Sequence, residues 1–214
     1  MQKLKLGAAG VLKCGIPYPS EARFIMPGEA FSAFPFSTTY GYVLKGDCSL
    51  NGRQLASGEY FALPCAEEGA AVSVGPGSVT TIFIRHGYVG QYVVGKVEEI
   101  GRVSYIDGCT DSLIVFPPRL GDPCLNSLHF PAGVDQSFHT HPSVRLGVVA
   151  GGCGISTVKR NPGAEAEEVP LEPGDLFMLV PHEIHRFRTS GSSMTIIAYH
   201  PDSDWGPTDE THPM

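Results

Sequence analysis

No run of about 18 apolar residues occurs anywhere in the 214-residue chain, so a membrane-spanning helix has nothing to form from. Basic residues are few: Lys and Arg total 15 against 22 Asp and Glu, a net charge of −7, and they form no cluster of the kind that tracks a phosphate backbone or an anionic membrane. Nucleic acid and membrane are excluded as partners on that ground, and a small molecule is expected instead. The cysteines at 14, 48, 65, 109, 124 and 153 contain no CxxC pair. Without a secretory leader they read as reduced, mostly buried thiols. The opening MQKLKLGAAGVLKCG lacks an apolar stretch of useful length, so a cytoplasmic protein is expected. Helical spacing of apolar residues is also missing, which leaves helices a minor part.

What the chain has instead is 26 Gly and 18 Pro, scattered among short runs rich in Val, Ile, Phe and Tyr. Strands are read at 41–45, 79–84, 112–116, 145–149, 175–180 and 194–199, each ending at a turn former. The expected class is all-β, a sandwich or barrel.

Two stretches repeat one plan. PGEAFSAFPFSTTYGYVLKGD, around Gly28, matches PAGVDQSFHTHPSVRLGVVAGG, around Gly133, at an offset of 105 that sets Phe34 on His139, Phe36 on His141 and Tyr40 on Arg145. SGEYFALP, from Ser57, likewise matches PGDLFMLVP, from Pro173. Two copies of one unit explain both matches, with a boundary near residue 105. The first copy lacks every ligating side chain and is expected to hold no metal. Phe34 and Phe36 are expected to fill its interior, a site for an apolar ligand being the alternative.

His139 and His141 stand two apart, and alternation sends such residues to one strand face with Cα atoms about 6.6 Å apart, close enough to share an ion. HxH alone is weak: HTHP could be a surface loop and His185 a partnered core residue. The flanking glycines strengthen it. Gly133, His139, His141 and Gly152 fit the first cupin motif, G(x)5HxH(x)3-4E(x)6G, with Arg145 where the Glu is expected; Gly174 and His185, eleven apart, fit the second, with Pro181 one place late. The chain thus resembles a bicupin, strongly over 120–200 and weakly over 20–90.

That resemblance implies two tandem jelly-roll barrels, residues 1–105 and 106–214, and one divalent metal on His139, His141 and His185. Three-His cupins such as the thiol and diketone dioxygenases also lack the Glu ligand, which implies iron(II) and dioxygen; zinc, manganese, nickel or copper are the alternatives. A homodimer is implied as well.

Three neutral imidazoles leave the ion's charge uncompensated, so with Arg145 facing inward the pocket favours an anion, which the guanidinium could hold bidentately. A strand shifted by one would turn Arg145 out and Leu146 in. Asn126, His129 and Phe187 are further candidates for substrate contact, and Tyr199 for catalysis. The favoured function is a dioxygenase acting on a small organic acid. A non-redox isomerase or lyase needs a base from Tyr199, Glu183 or His200, and a binding module without turnover is the third reading. PDSDWGPTDETHPM reads as an exposed tail; folded over the mouth, it would bring Asp202, Asp204 or Trp205 to the substrate. His86, His182 and His212 are taken as surface residues.

Overall fold

Alternation along each strand decides which face it buries, and here it sorts the apolar residues into three interiors. The computed structural model describes residues 1–204, Gly206 and Thr208, and its one helical element is a 3-10 turn at Ile106–Gly108. All strand pairings among the described residues are antiparallel. The expected all-β class is what the chain adopts.

Four sheets stack as layers. Residues 12–96 supply a four-stranded sheet and a six-stranded one, in which Ser37–Lys45 lies between Glu59–Cys65 and Val79–His86. A seven-stranded sheet follows, in the order Gln2–Leu4, Leu176–Leu179, Arg145–Gly152, Met194–His200, Cys124–Phe130, Thr110–Val115, Val103–Ser104. The fourth layer has three strands, with Gly154–Lys159 between Glu167–Leu171 and Ile184–Arg188. The opening strand thus pairs with late residues, Lys3 opposite Phe177.

The first interior packs Leu50 and Val72 against Phe61, Ile82 and Ile84. The second lies between the two large sheets, where Tyr40 and Phe83 meet Leu125, Leu146, Val148, Ile197 and Tyr199. The third packs Val158, Leu171 and Phe187 against Phe130, Phe177 and Ile196. Each such side chain contributes about 1.5–3 kcal/mol when fully buried. Residues 196 and 197 of one strand therefore serve different interiors, and the even-numbered face of Met194–His200 is the one aimed at the candidate site.

Strand register corrects the alignment of the two repeats. Gly41 lies opposite Phe61, and a Cβ on it would stand 2.2 Å from that ring; Gly147 lies opposite Phe177, where a Cβ would meet the ring at 2.5 Å. Both sites require glycine because an aromatic ring covers the backbone. Counting from this shared feature, Tyr40 corresponds to Leu146, both facing the middle interior, and Thr39 corresponds to Arg145. Tyr40 is therefore not the counterpart of Arg145.

The same one-residue slip defeats the expectation for the phenylalanines. Ala33, not Phe34, makes the backbone bond to Ala70 that parallels His139 to His185, and Phe34 and Phe36 are 42% and 65% exposed rather than interior. All six cysteines are free, four of them buried, with Cys153 exposed. Among the described residues no helix is long and apolar enough to cross a membrane.

Candidate metal centre

A reciprocal backbone pair brings the histidines together: His139 N–H donates to the His185 carbonyl and His185 N–H to that of His139, each at 3.0 Å. This bridge joins the loop after Phe130 to Ile184–Arg188, so two distant segments present their rings side by side. His141, two residues on, shares the face of His139. Ring centroids lie 4.4 Å apart for His139 and His185, 5.1 Å for His141 and His185, and 5.2 Å for His139 and His141. One nitrogen from each lies within 4.8 Å of the others, and this is the one such group among the described residues.

The rings are also aimed. Nδ1 of His139 bonds the Ser137 carbonyl at 3.0 Å, and Nδ1 of His185 bonds the Glu183 carbonyl at 2.8 Å, which makes Nδ1 the protonated nitrogen and leaves Nε2 a lone-pair donor. Nε2 of His185 is buried and has no hydrogen-bond partner. An orphaned buried acceptor of this kind is costly unless something electrophilic occupies the position it faces. Burial first, then for His141 the charge of Arg145, depresses the basicity of the rings: His141 falls to about 3 and His185 to about 4. Metals bind neutral imidazole, so the residues present fit a divalent ion.

Around this triad lies a small cavity, about 50 Å3, walled by Leu128, Phe130, Phe177, Leu179, Phe187 and Ile196, with Tyr105, Asp111, Gln136, Arg145 and His200 supplying polar groups. At about 10–15 Å3 per water it has room for a few waters or one small polar head group.

Residues 127–212 match the family described as AraC-like ligand binding domain. No curated protein matches the sequence. Among solved structures, a Cupin 2 conserved barrel domain protein from Leptotrichia buccalis superposes with a TM-score of 0.62 at 14% identity, covering 92% of this chain and 90% of that one. The fold is a cupin fold. Two further cupin-fold neighbours are enzymes by name. A variant of salicylate 1,2-dioxygenase from Pseudoaminobacter salicylatoxidans has a TM-score of 0.60 at 9% identity, over 85% of this chain and 70% of that one. Oxalate decarboxylase from Bacillus subtilis, described with Mn(II) centres, has a TM-score of 0.59 at 11% identity, over 95% and 78%.

Within this fold, Arg145 faces inward and Leu146 faces the middle interior. Its guanidinium is already engaged. Nη1 donates to Ser143, to the Val144 carbonyl at 3.1 Å and to Asp202 at 3.4 Å, while Nη2 pairs with Asp204 at 3.6 Å. Ser143 in turn donates to Asp202. Residues 202–204 therefore do not hang free as an exposed tail: Asp202 and Ser203 are buried, and the Asp202 carboxylate neutralises much of the charge that an inward Arg145 would lend an anion. Only Nε of Arg145 is buried without a partner. Trp205 and His212 lie outside the described residues.

Phe187 stands two residues from His185, on its face, and its ring meets that imidazole at 5.8 Å. Asn126 lies in the wall of a second, larger cavity and donates from Nδ2 to Asp111 at 2.7 Å. His129 lines neither cavity, because its odd position on Cys124–Phe130 points it away from Leu128 and Phe130. Tyr199 is likewise on the wrong face of Met194–His200. Its hydroxyl is 3.1 Å from Ser20, its ring stacks on Phe83 at 5.6 Å, and burial drives its pKa upward, so it is a packing residue between the large sheets. Glu183 accepts from the amino terminus at 2.5 Å, away from the cavity. Of the bases considered, only His200 lines the cavity, its ring 6.4 Å from His141, and burial holds it neutral.

The sequence pattern starts this strand at residue 112, which hides Asp111 as a candidate. The strand begins one turn of the alternation earlier, at Thr110, which puts Asp111 and Leu113 on the inward face. Burial raises its carboxyl from 3.8 to about 6 against the bond from Asn126. The folded protein thus holds this proton more tightly than the unfolded chain. The associated stability is complete below about pH 4 and disappears as pH rises through about 6. Asp111→Asn is expected to gain about 1–3 kcal/mol relative to wild type between pH 4 and 7.5, read by urea unfolding at both values; a pH-independent difference would contradict the assignment.

Proposed function

We propose that this chain is a mononuclear metal-dependent cupin enzyme, an iron(II) dioxygenase acting on an organic acid, in which His139, His141 and His185 hold the ion. The observation that carries this reading is the convergence of three imidazoles with no carboxylate among them, one presenting a buried and unpartnered Nε2. The naming of one cupin-fold neighbour as salicylate 1,2-dioxygenase supports it. The two sandwiches are read as tandem cupin units meeting near residue 105, the first without a metal, and the chain as a homodimer with an anionic small-molecule substrate.

When bound, the ion supplies Lewis acidity and, if it is iron, the redox capacity that dioxygen chemistry needs. The rest is done by the chain. Carbonyls of Ser137 and Glu183 fix the ring orientations. Phe130, Phe187 and Ile196 keep bulk water out. Arg145 lines the cavity with an unpartnered Nε–H, and its partners Ser143 and Asp202 hold that side chain in one place.

A second reading, a non-redox isomerase or lyase, is favoured by Asp111, a carboxyl in the cavity wall able to exchange a proton near neutral pH. The neighbour named oxalate decarboxylase, with its Mn(II) centres, is consistent with it. Metal analysis of the protein purified under mild conditions, followed by oxygen uptake with short and aromatic carboxylic acids, decides. Iron together with acid-dependent uptake is the expected result. Stoichiometric zinc, manganese or nickel without uptake would transfer the assignment to the second reading, and ligand binding without any metal would make the chain a binding module.

A further inference from the structure

The cavity at the histidines adjoins a second one. Tyr105, Asp111 and His200 line it and also line a neighbouring pocket of about 640 Å3. The second pocket continues along the same inward sheet face, since Leu113 pairs with Asn126 and Asp111 with Leu128. Its walls are largely apolar, with Val103, Leu113, Phe116 and Pro117. Pockets that bury a drug-sized molecule measure about 300–1,000 Å3, so the outer space has ligand dimensions and the inner one does not.

At the junction stands Asp111. Its Oδ2 is held by the Asn126 amide at 2.7 Å, which fixes the carboxylate's plane, while Oδ1 is buried with no hydrogen-bond partner. A fixed buried acceptor with an open valence selects ligands that bring a donor to it, because a ligand without one leaves the oxygen unsatisfied.

We propose that the outer pocket holds the apolar body of an amphipathic organic acid whose head reaches the histidines, and that Asp111 reads a hydroxyl or amino donor on the atoms joining the two. This rests on the three-histidine reading for the fate of the head group. It enlarges the substrate class from short acids to acids with an aromatic or aliphatic body and a donor in the linker. Asp111 is a specificity residue in this scheme.

The test uses isothermal titration of the full chain, metal-free and loaded with redox-inert Zn(II). The probes are acetate, 4-phenylbutanoate, and 4-phenylbutanoates hydroxylated at C2, C3 or C4, each beside its methyl ether. The phenyl acid should bind at least about tenfold tighter than acetate, and at least one alcohol about tenfold tighter than its ether, which a single well-placed hydrogen bond supplies. In Asp111→Asn the Asn126 amide keeps its acceptor, and the new amide nitrogen turns toward the ligand. That variant should lose the alcohol's advantage while binding the ether as before. Leu113→Trp, which fills the outer pocket, should weaken the phenyl acids and leave acetate unchanged. Equal affinity for acetate and the phenyl acid, absence of any alcohol preference, or its survival in Asp111→Asn would overturn the proposal. Failure of Zn(II) to bind would remove the three-histidine reading, and the metal-free titrations would still decide this one.

Discussion

Replacing His185 with Leu is expected to abolish stoichiometric metal binding and yet leave the metal-free protein within about 1 kcal/mol of wild type. The imidazole is almost wholly buried, and its Nε2 has no partner, a state that costs about 1–3 kcal/mol. Leucine removes that penalty at similar volume. It also removes the Nδ1 bond to the Glu183 carbonyl, worth about 0.5–1.5 kcal/mol, so the two changes nearly cancel. The difference should emerge when metal is added. Ion at 100 times its dissociation constant stabilises the wild type by about 2.7 kcal/mol, a rise of roughly 5–11 °C in Tm for a chain of this size. The variant should show none. Thermal unfolding of both proteins with and without added Fe(II) under argon, or Zn(II), reads the contrast; a variant that melts far below the metal-free wild type would make His185 a structural residue first.

Arg145→Met is expected to cost about 3–5 kcal/mol, or roughly 10 °C in Tm, although the replacement is apolar and fits the interior. The loss comes from what stays behind. Asp202 would keep a buried carboxylate with only Ser143 beside it, and an uncompensated buried charge is far more costly than the pair is favourable. Adding Asp202→Asn to Arg145→Met should therefore recover part of the stability, a positive coupling that a double-mutant cycle measures. Asp204 is mostly exposed, and Asp204→Asn should change stability by less than about 0.5 kcal/mol. Additivity of Arg145→Met and Asp202→Asn would contradict the buried pair.

These partners were invisible in the sequence because they depend on where the last residues fold, and PDSDW carries no periodicity that would say so. By contrast, the histidines were legible. His139 and His141 obey the period of two, and the spacing from Gly174 to His185 follows from a turn that needs a left-handed glycine, φ +84° at Gly174. The strand at 145–149 was also legible, though its register was not: the apolar run RLGVV allows either face to be buried, and only Gly147 under Phe177 pins it. That ambiguity carried through to the first repeat, where a slip of one residue exchanged the exposed Phe34 and Phe36 for the buried Ala33. Tyr199 failed as a catalytic candidate for the same reason, since a strand buried on both faces reads as continuous apolar sequence and hides which side holds the site. Asp111 was missed because a charge at the start of a strand reads as turn.

The most direct measurement is X-ray absorption at the metal edge of the loaded protein, compared with His185→Leu. One ion per chain with three imidazole nitrogens at about 2.0–2.2 Å is expected, with those ligands lost in the variant. A shell containing sulfur, or an unchanged spectrum in His185→Leu, would contradict it.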